Sequence, residues 1–283
     1  VAAWSPSAVA SEAQWGWVLL GDPLSWEINS PPGEIAVSGD GLRVAVGDFA
    51  ADSGLSSRVG VVKVFDWNGT EWSESAQLAG DAEFGYLGAS VDLSGDGTRL
   101  VAGAPNSNLA GTSSGEVRVY ELVESGWVQV GDPITTDEQL RMGEGVELSD
   151  DGQKISIVGG NGSLESSWVF YWDGLSWVEQ GDLPNKQGTV STAISDDGDR
   201  VVFSFPYGDD SVRVYDWNGA AWIESANFSG GPDEFGWGLA LTSDGTRLAI
   251  GDPRNDGVTT DAGAAKVYDW DGTTWSQAGQ LFQ

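Results

Sequence analysis

The feature that most constrains this chain is a turn that returns five times. Asp-Gly stands at Asp40-Gly41, Asp96-Gly97, Asp151-Gly152, Asp197-Gly198 and Asp244-Gly245, at spacings of 56, 55, 46 and 47 residues. Each turn follows an apolar residue and a Ser or Thr, and each leads to a basic residue and an alternating apolar run. Asp-Gly between two such runs signals a hairpin, and a type I′ turn there needs positive φ at both central residues. A chain that repeats this every 50 residues or so is built from hairpins.

The rest of the repeat fills in the unit. A third strand recurs as Lys63-Val64-Phe65, Arg118-Val119-Tyr120, Trp168-Val169-Phe170, Arg213-Val214-Tyr215 and Lys266-Val267-Tyr268. Four of these run into a second tight turn: Asn68-Gly69, Asp173-Gly174, Asn218-Gly219 and Asp271-Gly272. A fourth strand then opens at Trp72, Trp127, Trp177, Trp222 and Trp275. Each unit is a four-stranded antiparallel meander of propeller-blade length. The expected fold is an all-β propeller with five clear blades, at about residues 33–80, 86–135, 143–184, 188–230 and 235–283.

Residues 1–32 form a separate N-terminal segment with an unmatched strand. Gly16-Trp17-Val18-Leu19-Leu20-Gly21-Asp22-Pro23-Leu24 echoes Gly126 to Ile134, the fourth strand of the second unit, yet no first three strands precede it. It reads as a reduced sixth blade, as the edge of a longer array, or as a strand offered to another molecule. The chain starts at Val1, as a processed or truncated product would.

Repetition also explains residues that look functional. Nine of the 13 Lys and Arg fall at two repeat positions, so they are expected to pair with turn or strand carboxylates or with carbonyls. The repeated Trp residues are expected to pack between sheets. Trp4, Trp15, Trp26 and Trp237 lie off the repeat positions and are the candidates for a surface aromatic contact.

Charge narrows the partners. A formal net charge of −30 repels nucleic acid and anionic membrane, leaving cations, proteins and glycans. No apolar run is long enough to span a bilayer, so no direct membrane insertion is expected. Without Cys there is no disulfide framework, and without His neither a Ser-His-Asp triad nor a His-based zinc site.

Phe84-Gly85 with Gly103-Ala104-Pro105, and Phe235-Gly236 with Gly251-Asp252-Pro253, spell the signatures of FG-GAP repeats. The chain resembles the FG-GAP propellers of integrin α-subunits over roughly residues 33–283. The resemblance implies a secreted or cell-surface recognition, adhesion or assembly scaffold that binds protein or glycan without catalysis. It departs from the family at the first hairpin, where a calcium loop gives way to a bare Ser-Gly-Asp-Gly turn with too few oxygens for calcium.

Carboxylates supply the remaining chemistry. Two residues before the turn Ser or Thr, the repeats read Ala36, Asp92, Glu147, Ala193 and Ala240. If this strand lines a central channel, Asp92 and Glu147 sit near each other, as a carbohydrate-active, glycoside hydrolase-like enzyme requires. The bland alternative is two acids in a wet channel. Asp252, Asn255, Asp256 and Asp261 form an oxygen-rich loop with a Gly for curvature, which suits calcium, or else a solvated acidic loop. Asn68, Asn161 and Asn227 head glycosylation acceptor triplets. A third reading makes the chain an extracellular filament or oligomer subunit that self-assembles through its N-terminal strand.

Overall fold

The computed structural model describes residues 20–22, 24, 33–54, 56–160, 165–183, 190–206, 210–230, 235–255 and 262–279. Five antiparallel four-stranded meanders follow one another along the chain. Blade 1 comprises β1 (Ile35–Val37), β2 (Arg43–Asp48), β3 (Val61–Trp67) and β4 (Trp72–Ala79). Blade 2 comprises β5 (Ser90–Leu93), β6 (Arg99–Ala104), β7 (Glu116–Val123) and β8 (Gly126–Gln129), with β9 (Ile134–Thr135) added on the far part of β7. Blade 3 has β10 (Gly145–Leu148), β11 (Lys154–Gly160), β12 (Glu165–Trp172) and β13 (Trp177–Glu179). Blade 4 has β14 (Thr192–Ile194), β15 (Arg200–Phe205), β16 (Ser211–Trp217) and β17 (Trp222–Ser229). Blade 5 has β18 (Leu239–Leu241), β19 (Arg247–Asp252), β20 (Ala264–Trp270) and β21 (Trp275–Gln277). The propeller expectation holds.

The innermost strands stand side by side in chain order: β1 by β5, β5 by β10, β10 by β14 and β14 by β18. Apolar residues on the sheet faces form four hydrophobic clusters, one for each seam between consecutive blades. Val64 and Leu100 meet in the first seam, Val101 and Ile155 in the second, Val158 and Phe203 in the third, and Val214 and Ile250 in the fourth. Each blade therefore buries both faces only between two neighbours, as in any stacked repeat.

The first hairpin is not the turn that Asp-Gly alone suggests. Type I′ would give the Asp a positive φ, but only the Gly has one: Gly41 at 71° and Gly97 at 67°, with no turn Asp among the positive-φ residues. The loop is a Ser-x-Asp-Gly turn closed by Gly41 N–H donating to Ser38 O at 2.8 Å. Ser38 Oγ donates to Asp40 Oδ1 at 2.7 Å, Leu42 N–H donates to the same oxygen at 2.9 Å, and Arg43 N–H returns to Ser38 Oγ at 3.0 Å. The Ser and the carboxylate satisfy donors that a two-residue turn would not expose.

The same turns fasten one blade to the next. Gly39 N–H donates to Gly95 O, Gly95 N–H to Asp150 O, Asp150 N–H to Asp196 O, and Asp196 N–H to Ser243 O, at 2.8–3.1 Å. The basic residue after each turn makes a second fastening. Arg43, Arg99 and Arg200 each bind a carboxylate of their own blade, Asp66, Glu121 and Asp216. Each also donates to the turn Gly carbonyl of the next blade: Gly97, Gly152 and Gly245. Lys154 reaches across to the next blade's Asp197 carbonyl and Asp199 carboxylate. The expected pairing of these basic residues is thus met in two directions at once.

Tryptophans pack as the repeat implies. The third-strand and fourth-strand Trp residues pair at 5.3–5.6 Å between ring centroids in blades 1, 3, 4 and 5. Trp177 Nε1 donates to Val130 O and Trp222 Nε1 to Gln180 O, both at the end of the preceding blade's fourth strand.

Candidate active site

The inner strands carry the site. A strand turns alternate side chains to opposite faces. On β5 and β10, Val91, Leu93, Val146 and Leu148 enter the seams, while Asp92 and Glu147 take the alternate face. Adjacent blades thereby bring the two acids together, within hydrogen-bonding reach of each other.

Asp92 is fixed by backbone. Its Oδ1 accepts Leu93 N–H at 2.8 Å, and its Oδ2 accepts Leu148 N–H from the neighbouring blade at 2.7 Å. Desolvation by burial still pushes its pKa up to about 6. Glu147 is raised well above the ordinary Glu value, first by desolvation and then by the Asp92 and Glu34 charges. No Lys or Arg enters the causes of either shift. Each carboxyl opposes ionisation of the other, and Glu147, raised by its burial and by two neighbouring acids, is the member held more strongly in its protonated form.

A third acid joins from blade 1. Glu34 Oε2 accepts Val91 N–H at 3.3 Å, and burial of its carboxyl raises its pKa, with Asp92 adding to the effect. Sequence reasoning missed it because it compared one repeat position only. Glu34 lies two residues before Ala36, hence on the same strand face, which is the signal that finds it.

A cavity of about 300 Å³ opens beside these acids, lined by Glu34, Glu144, Glu147, Thr192, Trp237 and Leu239, among others. It gathers residues from blades 1, 3, 4 and 5 at one mouth. Trp237, about half exposed, brings an indole to the same space as the Glu147 carboxyl.

The other candidate residues lie elsewhere. Asp252 is buried, accepts Asn255 Nδ2–H at 2.9 Å, and lies 3.5 Å from Lys266 Nζ. Asp256 and Asp261 fall outside the described residues. Among the described residues, no group of three or more Asp or Glu is arranged to hold a metal ion. Asn68 spends its carbonyl on Thr70 N–H and Glu71 N–H in the second hairpin turn. Asn227 lies exposed on β17, and Asn161 is outside the described residues. Trp4, Trp15 and Trp26 are also outside them. The two Phe-Gly signatures differ: Phe235 is fully buried beneath Lys266, while Phe84 is half exposed at φ 58°.

No family model and no curated protein matches the sequence. The FG-GAP resemblance therefore stands on its motifs alone, whereas the propeller fold is supported by solved structures. The periplasmic gluconolactonase PpgL of Pseudomonas aeruginosa matches at 17% identity and TM-score 0.63, over 91% of this chain and 74% of its own. A Bacteroides fragilis protein assigned as a 6-phosphogluconolactonase matches at 12% identity and TM-score 0.55, over 87% and 69%. The Cps50 (Swd1) β-propeller domain of Myceliophteria thermophila matches at 8% identity and TM-score 0.58, over 89% and 72%.

These findings correct one expectation. The chain is not supported as a non-catalytic adhesion scaffold: two of its structural neighbours carry lactonase names, and none of these three is named for adhesion. At such identities the likeness shows the fold, and the chemistry has to come from the residues. The five successive four-stranded blades, together with the likeness to solved propellers, make this chain a β-propeller.

Proposed function

We propose that this chain is a carbohydrate-directed hydrolase that opens the lactone of a sugar acid at the channel mouth. The observation that carries the reading is the buried Asp92–Glu147 pair, whose Glu147 member lines an open cavity with Trp237 and Glu34. Glycoside hydrolysis needs carboxyls about 5–5.5 Å or 6.5–9.5 Å apart, and a hydrogen-bonded pair is closer than either. A close pair with one member held protonated suits water attack on a carbonyl instead, since it can take one proton and give one.

In the proposed reaction, water forms a C–O bond to the lactone carbonyl and the ring C–O bond breaks. The proton lost by the water goes to the ionised member of the pair. The proton held on Glu147 goes to the departing ring oxygen. Trp237 offers an apolar face to the sugar ring, and Glu34 and Glu144 offer oxygens to its hydroxyls. The names of the two lactonase neighbours support the substrate class, and the periplasmic neighbour supports a location outside the cytoplasm.

The test is the hydrolysis of gluconolactone above its spontaneous rate, followed by acid release. Activity should rise as pH passes about 6, where Asp92 ionises, and fall again where Glu147 gives up its proton. Glu147→Gln should reduce kcat by roughly 10²–10⁴-fold. A wild-type rate no faster than buffer, across lactones of several sugar acids, sinks the proposal.

A further inference from the structure

The seams between blades repeat the same contacts four times, and the fifth blade presents one half of a fifth seam. Arg200 is 14% exposed in its side chain, donates to Gly245 O and lies over Trp270 and Trp275 of the next blade, 4.7 and 5.2 Å from the ring centroids. Arg247 holds the same repeat position in blade 5. It keeps its own-blade carboxylate, Asp269, but its side chain is 58% exposed and, among the described residues, reaches no turn carbonyl. In its place a concavity of about 740 Å³ lies over Leu241, Thr242, Asp244, Arg247, Asp269 and Trp270. The ladder of turn hydrogen bonds also ends at Ser243.

The complementary half lies on blade 1. Ile35 and Val37 are 55% and 54% exposed, whereas their repeat equivalents in blade 2, Val91 and Leu93, are 2% and 5% exposed. Gly41 has open space around it, where Gly97, Gly152, Gly198 and Gly245 each meet the basic residue of the preceding blade. Yet one piece of a preceding blade is present. Trp72 Nε1 donates to Leu20 O at 3.0 Å, and Gly21 lies against Trp67 and Trp72. Val130 and Gly131 hold the same places on Trp172 and Trp177, as do Gln180 and Gly181 on Trp217 and Trp222. Leu20-Gly21 thus stands where the end of a fourth strand stands.

We infer that the open edge of blade 5 and the exposed face of blade 1 are a docking surface for a three-stranded antiparallel unit of this same repeat. That unit brings a Ser/Thr-x-Asp-Gly turn and packs beside Leu20-Gly21, with the outer edge of its third strand free. Its source is polypeptide other than these 283 residues. A second copy of the chain cannot supply it, because the third strand of every blade is already paired on both sides.

The test uses the whole chain carrying, behind residue 283 and a short Gly-Ser linker, a duplicate of residues 33–67 or of residues 190–217. These are the first three strands of blades 1 and 4. Docking should raise Tm by at least about 3 °C, protect the duplicate from proteolysis, and make Arg247→Ala costly in the fusion while it stays silent in the 283-residue chain. Either duplicate giving this pattern supports the inference. If both duplicates stay protease-sensitive with Tm unchanged, the inference is overturned. It is likewise overturned if the unfused chain forms a dimer that Arg247→Ala dissociates, because a second copy would then be the occupant. None of these readouts depends on activity.

Discussion

Arg200 and Arg247 are the same residue in the same repeat position, and they do different things. Arg200 is closed into the seam between blades 4 and 5 by a carboxylate, a carbonyl and two indoles. Arg247 faces solvent with one carboxylate. The contrast teaches that the repeat does not carry its own stability. A blade's sequence writes half of each seam, and the value of that half is set by whether the next blade writes the other. The turn glycines say the same from the other side, since Gly245 meets Arg200 and Gly41 meets nothing.

The largest effect expected from breaking a filled seam comes from its buried indole. Trp222 is 3% exposed, pairs with Trp217 and donates across the seam to Gln180 O at 2.6 Å. Trp222→Ala should cost about 3–5 kcal/mol in urea unfolding. The same change at Trp275, whose buried Nε1 finds no partner among the described residues, should cost visibly less. Equal losses would show that the hydrogen bond across the seam contributes nothing.

Next in size is Arg200→Ala, which removes charge-assisted bonds and the contact with two rings. It should cost about 2–4 kcal/mol by the same measurement. A loss indistinguishable from that of Arg247→Ala would erase the comparison.

The channel acids sharpen it from a third direction, because no Lys or Arg among the described residues offsets their burial. Asp216 sits beside Arg200, but Asp92 and Glu147 face each other. Both pKa values are raised on folding, so the native state holds protons that the unfolded chain has already released. The stability the pair contributes is complete below about pH 4 and is lost as pH rises through about 6 and beyond. Glu147→Gln keeps the hydrogen-bond donor and removes one titration. It should raise Tm at pH 8 and leave it unchanged at pH 4, as thermal scans at the two pH values would show. A lower Tm at pH 8 would mean that the pair is neutralised by something else.

The smallest effect is expected at the open edge. Arg247→Ala should leave the midpoint unchanged within error, and 0.5 M salt should not separate the variant from the parent.

The fold was legible because the turn, the basic residue after it and the fourth-strand Trp recur in register, and each marks a place that the seam geometry reuses. The carboxylate pair was legible for the opposite reason: Asp92 and Glu147 break the repeat where Ala36, Ala193 and Ala240 keep it. Glu34 was hidden because its repeat position holds Ser or Gly elsewhere and so sets no pattern to break. The turn type was misread because Asp-Gly alone does not reveal that the preceding Ser closes the loop. The adhesion reading rested on the Phe-Gly signature, which is a packing device in one blade, at Phe235, and an exposed turn in another, at Phe84, and the solved neighbours gave it no support. A motif used for two structural purposes cannot carry a function.

The chain of hydrogen bonds between the turns runs one way, from Gly39 through Gly95, Asp150 and Asp196 to Ser243. Such an array has a beginning and an end, and its first and last members are each held from one side only. Hydrogen exchange should therefore fray the molecule from both ends inward, with amides of β1 and β18 exchanging through local opening while those of β6 and β11 wait for global unfolding. The two open ends would also set where an unfoldase or a protease gains its first purchase.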